Sequence, residues 1–89
     1  MLKITKTDMD RSRVVFTLEG KITGQWADLL DAECRAELRN LKSIELNCAG
    51  VDFVDGQGVE VLKQLSRKRV TILKAPGYMT DLMDIGGRS

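Results

Sequence analysis

The sequence predicts a two-layer α/β domain, with a mixed β-sheet of about four strands and about three helices packed on one face. Several short segments alternate apolar and polar residues, which is typical of strands with one buried face. Two longer segments repeat apolar residues at helical spacing. A helix between two strands favours a parallel pair joined by a right-handed crossover. The predicted order is strand, strand, helix, strand, helix, strand, helix.

The first two strands are predicted over residues 2–6 and 13–19. The segment between them, residues 8–13, is polar enough for a turn, so the two strands should form a hairpin. In the second strand, Val14, Phe16 and Leu18 lie on one face.

The first helix is predicted over residues 25–40, after residues 20–24 have broken the strand. Thr23 is its candidate N-cap. Trp26, in the first turn, is either a core residue or a partly exposed contact residue. The apolar stripe of this helix comprises Ala27, Leu30, Cys34, Leu38 and Leu41.

The central strand is predicted over residues 43–48, and an amphipathic helix follows from Val59 to about Lys68. Between them, Asp55 is placed to cap that helix, because its carboxylate can accept first-turn N–H groups and complement the helix dipole. Gly56 and Gly58 are expected to let the backbone turn sharply and to leave those N–H groups uncovered. These residues fit equally well a capped strand-to-helix turn with no further role and a functional site.

The basic cluster Arg67-Lys68-Arg69 ends the second helix, where cations complement the helix dipole. No aromatic residues interleave with it, which disfavours a nucleic-acid patch. A strand over residues 70–74 and a short helix over residues 78–85, ending at Gly86-Gly87, complete a single domain over residues 1–89.

The amino-acid composition disfavours several functions for this protein. The 89 residues are 43% hydrophobic, which suits one compact core, and a net charge of +1 disfavours nucleic acid as the partner. The chain has no histidine, the commonest general base and metal ligand, so we expect no enzyme activity, no cofactor and no metal. An enzyme using Cys48 or Ser66 as nucleophile would lack an activating histidine.

The two cysteines, Cys34 and Cys48, lack the clustered spacing of a zinc site. Two buried thiols in a reducing cytoplasm are favoured over a disulfide. The sequence starts with no apolar core like that of a signal peptide, and no segment reaches the about 18 apolar residues of a membrane span. We therefore expect a cytoplasmic protein without membrane insertion.

The run from Phe53 to Val59, Phe-Val-Asp-Gly-Gln-Gly-Val, resembles the signature of STAS domains, which include the anti-sigma-factor antagonists of bacterial partner-switching systems. The family pattern is an aromatic, an aliphatic, an aspartate, two hydroxyl residues, a glycine and an aliphatic. Only Gly56 and Gln57 depart from it. The element order and the segment with Pro76, Leu82-Met83, Asp84 and Gly86-Gly87 also resemble the family, in which many members continue into a further strand or helix.

The resemblance implies a protein-interaction module that docks on an anti-sigma factor or a serine kinase-like regulator. In antagonists the first hydroxyl is phosphorylated by a cognate serine kinase, and Gly56 cannot carry a phosphate, so this chain should remain permanently competent to bind. The alternative is a small STAS accessory subunit of a transporter of the lipid-transport ABC type, contacting its ATPase, or of another signalling complex. The partner-binding residues that the resemblance implies are Thr23, Gly24, Asp55, Gly56, Gln57 and Gly58.

Overall fold

A computed structural model describes residues 1–83 and contains a four-stranded mixed sheet with three helices. The sheet order is β1-β2-β3-β4, in which β1 and β2 are antiparallel and the other two pairs are parallel. This confirms the predicted two-layer α/β fold. The elements are β1 (Leu2–Asp8), β2 (Arg13–Ile22), α1 (Gly24–Arg39), β3 (Ser43–Val54), α2 (Gly56–Ser66), β4 (Val70–Leu73) and α3 (Gly77–Met83).

The core lies between the helices and one face of the sheet. Alternate residues of the inner strands are fully buried, as the period-two pattern predicts, and each large side chain contributes about 1.5–3 kcal/mol by leaving water. The opposite face carries mainly polar residues such as Thr17 and Asn47. The main core side chains are Val14, Phe16, Leu18, Ile44, Leu46 and Cys48 from the sheet and Leu30, Cys34, Leu62, Leu65 and Met79 from the helices.

Both inner strands are longer than predicted, and this correction matters for the site. The chain does not leave the sheet at Gly20; irregular register between Thr17 and Lys21 lets β2 continue beside β3 to Ile22. Gly20 has φ +106°, and a side chain there would clash with the Met1 carbonyl oxygen, which explains the glycine. Because Ile22 pairs with Val54, β2 and β3 end side by side.

The helices differ from prediction mainly at their ends. Helix α1 stops at Arg39, so Leu41 is 75% exposed and has a left-handed φ of 62° instead of extending the apolar stripe. Helix α2 stops at Ser66, before Lys68. Trp26 is half-buried and packs against the core. The predicted end of the last helix, from Asp84 to Gly87, lies outside the described residues.

The two cysteines are buried free thiols on opposite layers, Cys34 on α1 and Cys48 on β3. Loss of hydration raises the pKa of Cys34 to about 12, with further contributions from nearby Asp31 and Glu33. Burial likewise raises the pKa of Cys48 to about 11. Within residues 1–83, no helix combines the length and apolar character needed to cross a membrane.

Candidate functional site

The centre of the site is the carboxylate of Asp55, which connects the starts of two helices. Asp55 is the N-cap of α2, and its Oδ1 accepts a hydrogen bond from the Gly58 N–H at 2.7 Å. Its Oδ2 accepts from the N–H of Gly24, the first residue of α1, at 3.1 Å. One negative group thus satisfies otherwise unpaired N–H groups at two positive helix ends, which stabilises both.

The predicted cap of α2 is therefore confirmed, whereas the predicted cap of α1 works differently. Thr23 occupies the N-cap position of α1, but its hydroxyl makes no capping hydrogen bond. Its carbonyl oxygen instead accepts from the N–H groups of Trp26 and Ala27, at 2.8 and 3.3 Å. The side-chain acceptor for this helix start comes from Asp55, 31 residues further along the chain.

The expectation that Gly56 and Gly58 form a sharp turn is wrong, because both lie in α2 and neither has a positive φ. Gly58 is buried, and a Cβ there would clash with the Ile22 carbonyl oxygen and lie 2.7 Å from Val54 Cγ1. Glycine at this position lets the start of α2 approach the ends of β2 and β3. Gly56 is exposed, and a Cβ there would have no neighbouring atom within 4 Å.

Gln57 joins the two helices on the outside of the site. Its side chain is exposed, and its Nε2 donates a hydrogen bond to Asp28 Oδ1 on α1 at 2.6 Å. Five of the six predicted residues therefore lie together at the carboxyl end of the parallel strands, where α/β folds commonly bind partners. Gly58 is buried beneath them and is not available for contact.

Two exposed residues near the site, Asp52 and Phe53, were not among the predicted site residues. Phe53, the penultimate residue of β3, is 49% exposed. Beside it, Lys21 Nζ donates to Asp52 Oδ1 at 3.2 Å across the strand pair. The burial pattern of β3 changes after Cys48, so that Val51 and Val54 face inward and the two residues between them are exposed. An aromatic residue two positions before the capping aspartate was the available sequence signal for Phe53.

We refer to Thr23, Gly24, Phe53, Asp55, Gly56 and Gln57 as the helix-start surface. It offers a carboxylate with both oxygens already engaged, exposed backbone at Gly56, an amide side chain and an aromatic ring. Among residues 1–83, no group of three or more Asp, Glu, Cys or His side chains is arranged to hold a metal ion. The chemistry available at this surface is hydrogen bonding and apolar contact.

Comparisons with known proteins agree with this architecture. The anti-sigma factor antagonist SpoIIAA in its unphosphorylated form has a TM-score of 0.77 and 17% identity, covering 94% of this chain and 84% of SpoIIAA. The structure of Mglu has a TM-score of 0.69 and 20% identity, covering 82% of this chain but 19% of Mglu. None of the curated protein sequences matches this chain. The family model of the STAS domain matches residues 3–72, and the chain therefore belongs to the STAS domain family.

Proposed function

We propose that this STAS domain is a non-catalytic protein-interaction module of bacterial regulation that binds its partner through the helix-start surface. The observation that carries the proposal is the Asp55 carboxylate, which fixes the starts of α1 and α2 together and leaves Gly56 and Gln57 exposed beside it. A rigid, exposed surface costs little conformational entropy when a partner binds. The similarity to the anti-sigma factor antagonist SpoIIAA supports this class of function.

The proposed partner is an anti-sigma factor or a serine kinase-like regulator in the cytoplasm. Phosphorylation of a hydroxyl at position 56 would place about two negative charges on the surface and repel such a partner. Gly56 has no side chain to phosphorylate, so binding is constitutive at this position. Regulation then depends on the amount of the protein or on its partner.

Phe53 extends the proposed contact beyond the residues around Asp55. Its ring is about half exposed, next to the ion pair of Lys21 with Asp52. Aromatic residues surrounded by polar neighbours are common energetic centres of protein interfaces. We therefore propose that Phe53 adds an apolar anchor to the contact, beside the polar residues at the starts of the two helices.

The proposal is tested by capturing partners with the native protein and titrating the purified partner against two variants at one position. Gly56→Ala adds one methyl group in open space and should bind like the native protein. Gly56→Trp places a bulky ring over the surface and should weaken binding by about thirtyfold or more. Circular dichroism checks that both variants are folded.

Two results would count against the proposal: capture of no kinase-like or sigma-related protein, or unchanged binding by Gly56→Trp. Capture of a transporter ATPase would instead favour the accessory-subunit alternative, and the same pair of variants would show whether that complex uses the helix-start surface.

A further inference from the structure

A second feature lies at the other end of the two long helices. A cavity of about 220 Å³ is lined by Arg35, Leu38 and Arg39 of α1 and by Lys68, two residues beyond the end of α2. Arg39 and Lys68 are exposed, and Leu38 and Arg35 are partly buried. The cavity therefore opens to solvent, with cations at its rim and one leucine among its walls. We call it the basic cavity.

The charges around the basic cavity are only partly balanced. Arg35 Nε contacts both carboxylate oxygens of Asp31 at 2.9 Å. Arg39 and Lys68 form no ion pair with any acidic side chain of residues 1–83. Each complements the dipole of its own helix, but that role does not require cations of two helices to line one cavity. Their mutual repulsion is relieved when an anionic group lies between them.

We propose that the basic cavity binds an acidic peptide segment of a protein partner, with carboxylates paired to Arg39 and Lys68 and an aliphatic side chain against Leu38. Arginine can bind a carboxylate through two parallel hydrogen bonds, which gives the contact direction as well as charge. The apolar wall at Leu38 favours a polypeptide over a bare anion, because it offers burial to an aliphatic group.

Other anionic partners fit this surface less well. The acidic residues Asp31, Glu33 and Glu60 lie on the same two helices, so a uniform polyanion such as nucleic acid or an anionic membrane would meet repulsion beside the attraction. None of the four residues lining the cavity is aromatic, so it offers no ring for base stacking. A short segment with spaced carboxylates matches the local charge better.

This inference does not depend on the function proposed for the helix-start surface. Helix α1 has 16 residues and is therefore about 24 Å long, with Gly24 at one end and Arg39 at the other. A partner at the first surface leaves the basic cavity accessible. A partner protein with an acidic tail could engage both, which would raise the combined affinity through effective concentration.

The test is fluorescence anisotropy at physiological salt with a short labelled peptide rich in glutamate and leucine. The matched probes are the same peptide with glutamine for glutamate, a single-stranded oligonucleotide and phosphatidylserine vesicles. The double variant Arg39→Gln/Lys68→Gln should lower affinity for the acidic peptide about tenfold. The double variant Lys3→Gln/Lys74→Gln removes the same net charge near the opposite ends of the strands and should bind like the native protein.

Backbone amide shifts in two-dimensional NMR locate the binding site independently of affinity. The expected result is that peptide addition moves the signals of Arg35, Leu38, Arg39 and Lys68 and leaves those of Gly24 and Gly56 in place. The proposal is overturned if the acidic peptide does not bind, if both double variants weaken binding equally, or if the oligonucleotide or the vesicles bind as tightly as the peptide.

Discussion

Gly56 and Gly58 belong to the same first turn of α2, but their surroundings differ completely. A methyl group on Gly58 would meet the Ile22 carbonyl oxygen and the Val54 side chain, whereas one on Gly56 would meet no atom within 4 Å. We expect Gly58→Ala to lower the free energy of unfolding by about 1–3 kcal/mol through overpacking. Gly56→Ala should be neutral or stabilising by up to about 1 kcal/mol, because alanine favours the helix.

Urea unfolding followed by circular dichroism measures both glycine variants under the same conditions. Each variant is the control for the other, since they make the same chemical change two residues apart. Equal effects of the two substitutions would contradict the close approach of α2 to the strand ends.

Asp55 and Thr23 both occupy N-cap positions, but their side chains contribute differently. Asp55 accepts two backbone hydrogen bonds through its side chain, and Thr23 accepts none through its hydroxyl. Asp55→Ala should therefore cost about 2 kcal/mol of stability, near the upper end for a cap, because it leaves N–H groups of two helices without their acceptor. Thr23→Ala should change the free energy of unfolding by less than about 0.5 kcal/mol. Denaturant titration of the two variants provides the comparison, and a Thr23→Ala variant as unstable as Asp55→Ala would refute this account.

At the scale of elements, the sequence predicted the order and type of every strand and helix, because each has a clear period of two or of about 3.6. It did not predict how far β2 and β3 extend. Strand β3 loses strict alternation beyond Cys48, where Val51 and Val54 face inward three residues apart, whereas β2 keeps its alternation to Ile22. Gly20, which suggests a break in isolation, is accommodated within β2 by its positive φ.

In the candidate site, the sequence predicted the contacts between neighbouring residues but not those between residues far apart in the chain. The bond from Asp55 to Gly58 spans three residues and follows from a standard capping pattern. The hydrogen bond between Gly24 and Asp55 spans 31 residues, and the one between Gln57 and Asp28 spans 29 residues. Such pairs depend on strand register and helix packing, which a single sequence does not specify.

Both thiols lie in the core between the helices and the sheet. Their raised pKa values make the free energy of unfolding depend on pH. Burial raises the pKa of Cys34 to about 12 and of Cys48 to about 11, above the ordinary thiol value of 9.0. The unfolded chain therefore releases these protons first. The stability contribution of the thiols is complete below pH 9 and is lost as the pH rises towards 11 and 12.

Thiolate absorbance during an alkaline titration measures this effect directly, in the native protein and in urea. We expect thiolate to form near pH 9 in urea and at least one unit higher in the native state. Iodoacetamide at pH 8 should also alkylate the unfolded chain much faster. Native thiols that titrate near pH 9 would contradict this account, because they would show that water reaches both cysteines between the helices and the sheet.

The whole molecule presents two distinct ends. The carboxyl ends of β2 and β3 meet the starts of α1 and α2, where Asp55 and the exposed Phe53 lie. At the opposite end, Arg39 is the last residue of α1, and the cluster from Arg67 to Arg69 directly follows α2. Met9, in the turn between β1 and β2, also lies at that second end and is 52% exposed, close to the 49% of Phe53.

This matched pair of exposed apolar residues tests whether binding is confined to one end. If the captured partner binds the helix-start surface, Phe53→Ala should lower its affinity by about tenfold or more, because an aromatic anchor is removed from the contact. Met9→Ala removes a similarly exposed side chain from the other end and should leave the affinity unchanged. Isothermal titration calorimetry of the purified partner against both variants gives the two values. Equal losses would place the contact across the molecule, and a loss with Met9→Ala alone would move it to the opposite end and refute the proposed surface.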